Sequence, residues 1–292
     1  MNRYFLDFDE QAYLKSNPDV LKAVQNGSCS SGLEHYINHG YRENRPSVSS
    51  IALKNFVASF TSDHLPVPPE HLRKRVHGSE DVKNFGKAGR TIAMDMLASI
   101  GSLIELGIHD RILDFGCGCG RVFKYFQKLS PNSKFYGTDI DIEAIAWCQQ
   151  HLSQIGKFTV NREIPPMQFK NSFFDFVYSI SVFTHLPEEM ESAWLEELRR
   201  VTKPGAYLLL TVHGEKLFEN ASEENKQLLR KKGFSYLEIS KTEGLPDFYQ
   251  TSFHTDDYIY EQWGKFFEIK QIISNGIRKR QDLILCRNSL KQ

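Results

Sequence analysis

Downstream of residue 110 the apolar positions gather into short runs: RILDF (111–115), KFYGTD (134–139), KFTVN (157–161), FDFVYSI (174–180) and AYLLLTV (206–212). Each has the length of a strand, and between most of them lie segments of helical period near 120–129, 141–153 and 187–201. Strand and helix in alternation predict right-handed crossovers and an α/β fold with a doubly wound, mostly parallel sheet. Two more runs, FFEIKQIIS (266–274) and QDLILCR (281–287), flank NGIRKR, where Asn275-Gly276 is a hairpin signal. They predict an antiparallel end to a seven-stranded sheet, reached after a long insertion at about 214–250.

The first third of the chain has a different texture. In DEQAYLKSNPDVLKAVQNG the residues Tyr13, Leu14, Val20, Leu21 and Val24 keep helical spacing, with a break at Asn17-Pro18 and a stop at Gly27. A second short helix should run from Ser31 to Gly40. Residues 1–48 thus read as a small helical unit, too small to be stable alone, that must dock on the rest of the chain or on a second subunit. Residues 49–84, with LPVPPEHLRKRVHGSED rich in proline and charge, read as a linker or lid region. From Gly89 to Leu106, Ile92, Met96, Ile100, Leu103 and Ile104 predict a helix leading into the first strand, and residues 85–292 form the main domain.

Composition narrows the functional classes. The 292 residues carry 36 basic and 36 acidic side chains, a formal net charge of zero, so the global electrostatic footprint of a nucleic-acid binder is missing and no nucleic-acid partner is expected. The clusters Arg73-Lys74-Arg75, Arg230-Lys231-Lys232 and Arg278-Lys279-Arg280 read as solvated faces. The longest apolar runs fall short of the roughly 18–20 residues of a membrane span. The opening MNRYFLDFDEQ holds acids where a signal peptide would hold an apolar core. A soluble, cytoplasmic protein is expected, with Cys29, Cys117, Cys119, Cys148 and Cys286 as reduced thiols and no metal site, since Cys117 and Cys119 lack zinc-ligand spacing.

The densest chemistry lies in RILDFGCGCGR (111–121). In a doubly wound sheet ligands sit beyond the carboxyl ends of the strands. There the first strand delivers Asp114, and Gly116, Gly118 and Gly120 permit a sharp turn with close approach of backbone to ligand. The second strand ends in Asp139, an acid placed to accept hydrogen bonds from both hydroxyls of a ribose. Together they predict a nucleoside-bearing cofactor. The spacing G-x-G-x-G differs from the G-x-G-x-x-G of dinucleotide sites, and Asp114 would repel a pyrophosphate while suiting a cofactor with an amino group and a sulfonium.

In these motifs the chain resembles the class I S-adenosylmethionine-dependent methyltransferases: ILDFGCGCGR as their first motif, Asp139 as the ribose-binding acid, FFDFVYSISVFTHL as the fourth-strand motif and LRRVTKPGAYLLL as the turn before the fifth strand. The resemblance covers about residues 85–288 and implies S-adenosylmethionine as cofactor, with S-adenosylhomocysteine as product. It implies that Gly116, Cys117 and Gly118 line the methionine portion and that Asp114 faces the ammonium through water or a backbone relay. Asp139 would hold the ribose, Ile140 would pack on the adenine, Asn161 would approach the adenine amino group, and Ser179 and Ser181 would border the sulfur. The opening residues resemble a second pattern, a small module associated with bacterial glycosyltransferases and methyltransferases of surface-glycan pathways. It appears here as Tyr13-Leu14, Pro18-Asp19-Val20, Ala23-Val24, Gly27, His35-Tyr36, Gly40, Glu43 and Arg45.

Transfer to a hydroxyl calls for a positioned base. His185 in SVFTHLP, His213 in TVHG and His254 in YQTSFHTDDY are the candidates, with Phe115, Phe183, Tyr249, Phe253 and Trp263 as an aromatic acceptor wall and Gln281-Asp282 as a structural pair. The expectation is O-methylation of a small molecule or glycan. A nicotinamide oxidoreductase and a noncatalytic protein on the same sheet are the alternatives.

Overall fold

The computed structural model describes residues 8–29, 31–40, 43–45, 64–77, 81–100, 111–130, 132–219, 221–238 and 244–289. Its main sheet has seven strands in the order β3-β2-β1-β4-β5-β7-β6, where β1 is Arg111–Phe115, β2 Lys134–Asp139, β3 Lys157–Val160, β4 Phe174–Ser179, β5 Thr202–Val212, β6 Glu268–Ile277 and β7 Gln281–Arg287. β1 to β5 pair in parallel, and β7 runs antiparallel to both β5 and β6. This is the expected sheet, with the chain order reversing between β1 and β4. The two carboxyl ends at that switch open a crevice.

Strand alternation sends side chains to two cores. Ile112 of β1 with Phe176 and Tyr178 of β4 face one side, while Leu113 and Phe115 with Phe174 and Val177 face the other. On the first side lie α5 (Val82–Ile100), α6 (Phe123–Leu129) and α7 (Ile142–His151); on the second lie α8 (Glu188–Val201) and α10 (Asp256–Gln262). Asp141 caps α7 by accepting from the backbone N–H of Glu143 and Ala144, both at 3.1 Å.

The opening segment forms α1 (Glu10–Ser16), α2 (Pro18–Gln25) and α3 (Gly32–His35), the last continued by a wider turn over Tyr36–Gly40. Asp9 and Ser31 cap α1 and α3, and Gly27 takes a φ of 82° after α2. The module's signature residues contact one another. Tyr13 is fully buried and bonds His35 Nδ1 at 3.0 Å, while Arg45 bridges Asp19 and Glu43 at 2.8 and 2.7 Å. Tyr13, Leu14, Val20 and Tyr36 belong to the same apolar core as Ile92 and Met96 of α5. The unit docks on its own chain.

Three expectations need correction. The helix expected from Gly89 begins at Val82, and its expected end at Leu103, Ile104 and Leu106 lies outside the described residues. Within 49–84, read as a linker or lid region, Glu70–His77 forms a helix, α4. The hairpin signal Asn275-Gly276 is a bulge inside β6; the chain turns at Arg278 and Lys279, whose φ values of 50° and 55° supply the left-handed pair that such a turn needs. The side chains of Arg278, Lys279 and Arg280 are exposed at that tip, as expected, but the turn is not free of the fold. Arg278 donates its backbone N–H to Asp95 at 2.9 Å and Lys279 reaches the Cys29 carbonyl at 3.0 Å, tying the hairpin to α5 and to the opening unit.

A Cβ added at Gly40 would lie 2.1 Å from the Tyr13 hydroxyl oxygen. Gly40→Ala is therefore expected to cost about 1–3 kcal/mol by overpacking. Urea denaturation should register it as an earlier midpoint of one cooperative transition, because Tyr13 shares the main core; a separate early phase would show that the unit unfolds by itself.

Candidate functional site

At the crevice the glycine turn is pinned to β2 from two directions. Gly116 and Cys117 donate their N–H groups to the Thr138 carbonyl at 2.8 and 3.1 Å, and Gly118 donates to Asp139 Oδ2 at 2.7 Å. The other oxygen, Oδ1, accepts from Asp141 N–H at 2.9 Å. An ionised carboxylate has about four lone-pair sites, so each Asp139 oxygen keeps one for a further donor. The turn takes left-handed φ values of 78°, 51° and 77° at Gly116, Gly118 and Gly120, which L side chains avoid. What would meet a Cβ there is protein: Val182 at 2.1 Å, Val76 at 2.4 Å and Leu152 at 2.6 Å. The bare backbone is needed as much for packing as for a ligand.

Above this turn lies a cavity of about 990 Å³, its open mouth included, lined by Asp114, Gly116, Cys117, Gly118, Asp139, Ile140, Asn161, Ser181 and His185 among others. Asp114 is 2 % exposed, and its Oδ2 has no hydrogen-bond partner among the described residues. Burial pushes its carboxyl up to about 8, opposed by the Tyr178 hydroxyl beside it on β4 and assisted by the Asp139 charge. Burial likewise raises Asp139 above the usual carboxylate range and lowers the Arg121 guanidinium in the same cavity to about 10. A buried carboxylate oxygen without a donor is costly in isolation, and a cationic ligand group would satisfy it.

Other expected cofactor positions divide. Ile140 and Ser181 line the cavity, and Ser181 holds a φ of 63° while bonding to Gln281 of β7, with Gln281 Nε2 at 2.7 Å from its Oγ. Asn161 lines it too, but its side chain already accepts from Thr138 Oγ1 and donates to the Arg162 carbonyl, both at 2.8 Å. Ser179 and Gly120 do not line the cavity. Ser179, the last residue of β4, is fully buried and donates to the Phe115 carbonyl at 2.9 Å; Gly120 packs beneath the turn against Leu152.

The three histidines also part company. His185 lines the cavity, donates Nδ1–H to the Gln250 carbonyl at 2.5 Å and stacks on Tyr249 at 3.9 Å, so its Nε2 carries the lone pair. Burial lowers its pKa to about 4. His213 stands outside the cavity with its ring 6.2 Å from that of His185, and burial lowers it to about 3. His254 is not a lid residue. The insertion forms α9 (Glu223–Lys232) and an antiparallel strand pair, β8 (Phe234–Leu237) and β9 (Thr251–His254), labelled apart from the main sheet. This pair carries His254 into the interior, where Nε2–H donates to Glu191 of α8 at 2.6 Å. Glu191 also accepts from Trp263 Nε1 at 2.8 Å and from the Tyr258 hydroxyl at 3.2 Å. Of the expected aromatic wall, Phe115 and Tyr249 reach the cavity; Phe183, Phe253 and Trp263 are core.

Sequence reasoning missed Arg75, Val76, Glu163, Trp194, Leu245 and Phe248, which also line the cavity. Nothing in their local spacing marks them. Among the described residues no cluster could hold a metal ion, and no helix is long and apolar enough to cross a membrane.

Residues 113–210 match the family model described as a methyltransferase domain. Over 121 residues the chain is 34% identical to an Arabidopsis thaliana tRNA (carboxymethyluridine(34)-5-O)-methyltransferase, covering 41% of this chain and 26% of the relative. Over 179 residues it is 25% identical to the malonyl-[acyl-carrier protein] O-methyltransferase of Hahella chejuensis, covering 58% and 61%. The chain thus spans between about a quarter and three fifths of these relatives. Among solved structures, an S-adenosylmethionine-dependent methyltransferase from Mesorhizobium loti shares the fold with a TM-score of 0.51 at 13% identity, covering 66% of this chain and 97% of the other. The 1,6-didemethyltoxoflavin-N1-methyltransferase of Burkholderia thailandensis, solved with S-adenosylhomocysteine, shares it at 0.51 and 14%, covering 78% and 93%. Residues 113–210 thus match a methyltransferase domain, and the sheet order and glycine turn around them are those of the class I S-adenosylmethionine-dependent methyltransferase fold. S-adenosylmethionine is the cofactor of that class, and the orphaned Asp114 oxygen and the open lone pairs of Asp139 suit its ammonium and ribose hydroxyls.

Because Asp114 holds its proton in the folded chain between about pH 4 and pH 8, the folded state binds more protons than the unfolded one in that window. Stability contributed by this group is present below pH 4 and lost as pH rises through 8. The ligand-free Asp114→Asn variant should therefore gain on the wild type as pH climbs from 5 to 8, by a few kcal/mol on the order that linkage allows. Thermal melts across that range check it; parallel curves would show that Asp114 is ionised throughout.

Proposed function

We propose that the protein transfers a methyl group to a hydroxyl of a small organic acceptor, held between His185 and the insertion segment Leu245–Tyr249. The cofactor supplies an electrophilic methyl group on a cationic sulfur. On this reading Asp114 holds the ammonium end, Gly116, Cys117 and Gly118 face the methionine portion, Asp139 takes the ribose hydroxyls and Ile140 packs on the base. Asn161, with its side chain engaged, contributes at most its one open lone pair. Ser181 and His185 stand at the boundary between cofactor and acceptor.

One observation carries the oxygen preference: the Gln250 carbonyl fixes His185 as the Nδ1–H tautomer, which leaves Nε2 as an acceptor in a cavity wall. A hydroxyl donating to Nε2 is oriented for attack and can lose its proton as the new bond forms. With a pKa of about 4 the ring is neutral throughout the physiological range but a weak base, so its contribution sits at the low end of general-base effects. Leu186, Leu245, Phe248 and Tyr249 give the acceptor side an apolar and aromatic surface, which favours a body of the same character. The opening module's resemblance to glycan-pathway enzymes keeps a glycan derivative in the class. The match to the tRNA enzyme falls on a 121-residue segment, a quarter of that relative, and leaves the acceptor side undecided.

Calorimetric titration of S-adenosylhomocysteine is expected to give binding that weakens at least tenfold in Asp139→Ala, the loss of two hydrogen bonds to a charged group. With labelled cofactor, phenols and sugars should accept methyl groups and bulk tRNA should not. Labelling of tRNA alone would sink the small-molecule reading, and failure of the wild type to bind would sink the cofactor assignment.

His185→Gln should lower kcat by about 10²-fold while leaving cofactor affinity within a factor of two. The wild-type kcat/KM should stay flat from pH 6 to 8 and fall only as pH approaches 4, where the ring takes a proton. An unchanged kcat in the variant would remove His185 from the chemistry.

A further inference from the structure

Arg75, on a helix within the stretch read as a linker or lid, lines the cavity and touches both the start of α7 and the insertion. Its Nη1 meets both Asp141 oxygens at 3.1 and 3.0 Å and Glu143 at 2.7 Å. The Arg75 and Asp141 side chains are only 15% and 7% exposed, so solvent screens this pair weakly, whereas Glu143 at 62% adds little. The far side of the guanidinium lies against the insertion: Gly244, at a φ of 83°, would place a Cβ 2.3 to 2.5 Å from Arg75 Nη2, Cζ and Nε. The neighbouring residues Val76 and Leu245 line the cavity, and Val76 covers Gly118.

We propose that Arg75 is a positioning residue for the cofactor, a latch that ties α4 and the insertion to the Asp139–Asp141 turn and holds them closed over the bound nucleoside. The inference rests on the cofactor reading above and deepens it. Asp139 is oriented by Asp141 N–H, and the Asp141 carboxylate is held in turn by Arg75 and by the two N–H groups at the start of α7. One side chain therefore acts on the ribose acid through its neighbour while joining two segments, α4 and the insertion, that both contribute to the cavity lining. Departure of the nucleoside requires that at least one cover lift, and the ion pair opposes that step.

The experiment is the release rate of S-adenosylhomocysteine from the full chain, measured by stopped-flow displacement at low and high salt. Arg75→Met should release it about tenfold faster or more, as truncation of one partner of a poorly solvated charge pair acts mainly on dissociation. Arg75→Lys, which keeps the charge and loses the fork, should fall between. Gly244→Ala, which sets a methyl where the guanidinium lies, should speed release in the same direction without touching the charge. Because the pair is largely withdrawn from solvent, wild-type release should change little between low and high salt, and the partial restoration in Arg75→Lys is the result that a loss of packing alone would not produce. Release at the wild-type rate in both Arg75→Met and Gly244→Ala, from folded proteins that bind, would overturn the latch alone. Failure of the wild type to bind would overturn the cofactor reading and the latch together.

Discussion

The carboxylate of Asp139 joins the two loops on which the site is built. One oxygen holds Gly118 N–H of the glycine turn and the other holds Asp141 N–H of the turn after β2. With Gly116 and Cys117 also donating to the Thr138 carbonyl, the end of β2 fixes the course of the chain after β1. A carboxylate accepting backbone N–H groups makes charge-assisted bonds, roughly twice as strong as neutral ones. The glycine turn, with its left-handed backbone, has few other ways to be held rigid.

A second buried carboxylate organises the opposite side. Glu191 of α8 accepts from His254, Tyr258 and Trp263, three donors that come from the insertion and the segment after it. Burying such a group is tolerable because three donors meet its two oxygens. The network anchors the insertion to the sheet and so sets where Gln250 presents its carbonyl to His185 and where Tyr249 stacks on that ring. The same segment then carries Leu245 and Phe248 into the cavity wall. In this chain the surface that would meet an acceptor depends on a polar cluster remote from it.

Much of the sheet was legible, because runs such as RILDF and AYLLLTV have the length of buried strands and are bounded by glycine and proline, and because Asp141 and Ser31 cap helices by local chemistry. The places of Gly116, Gly118 and Asp139 in the cavity wall were legible for a related reason, since they follow from position at a strand end. Ser179 failed because it is still the last residue of β4 and spends its hydroxyl on the Phe115 carbonyl, while Ser181, past the strand end at a φ of 63°, reaches the cavity. The histidines were the harder case. All three lie near the carboxyl edge of the sheet, and no spacing distinguishes a ring that faces a cavity from one that faces Glu191.

What the sequence by itself determined is therefore the order of strands and helices, the bare turn after β1 and the acid after β2, each set by interactions within a few residues or within one strand pair. The tertiary structure decided which histidine borders the cavity, that the supposed linker is a helix covering Gly118, and that Arg75 meets Asp141 across 66 positions of chain. Those outcomes rest on contacts between segments far apart in sequence, whose geometry is set by how whole elements pack, and packing leaves no periodic trace in the residues that take part.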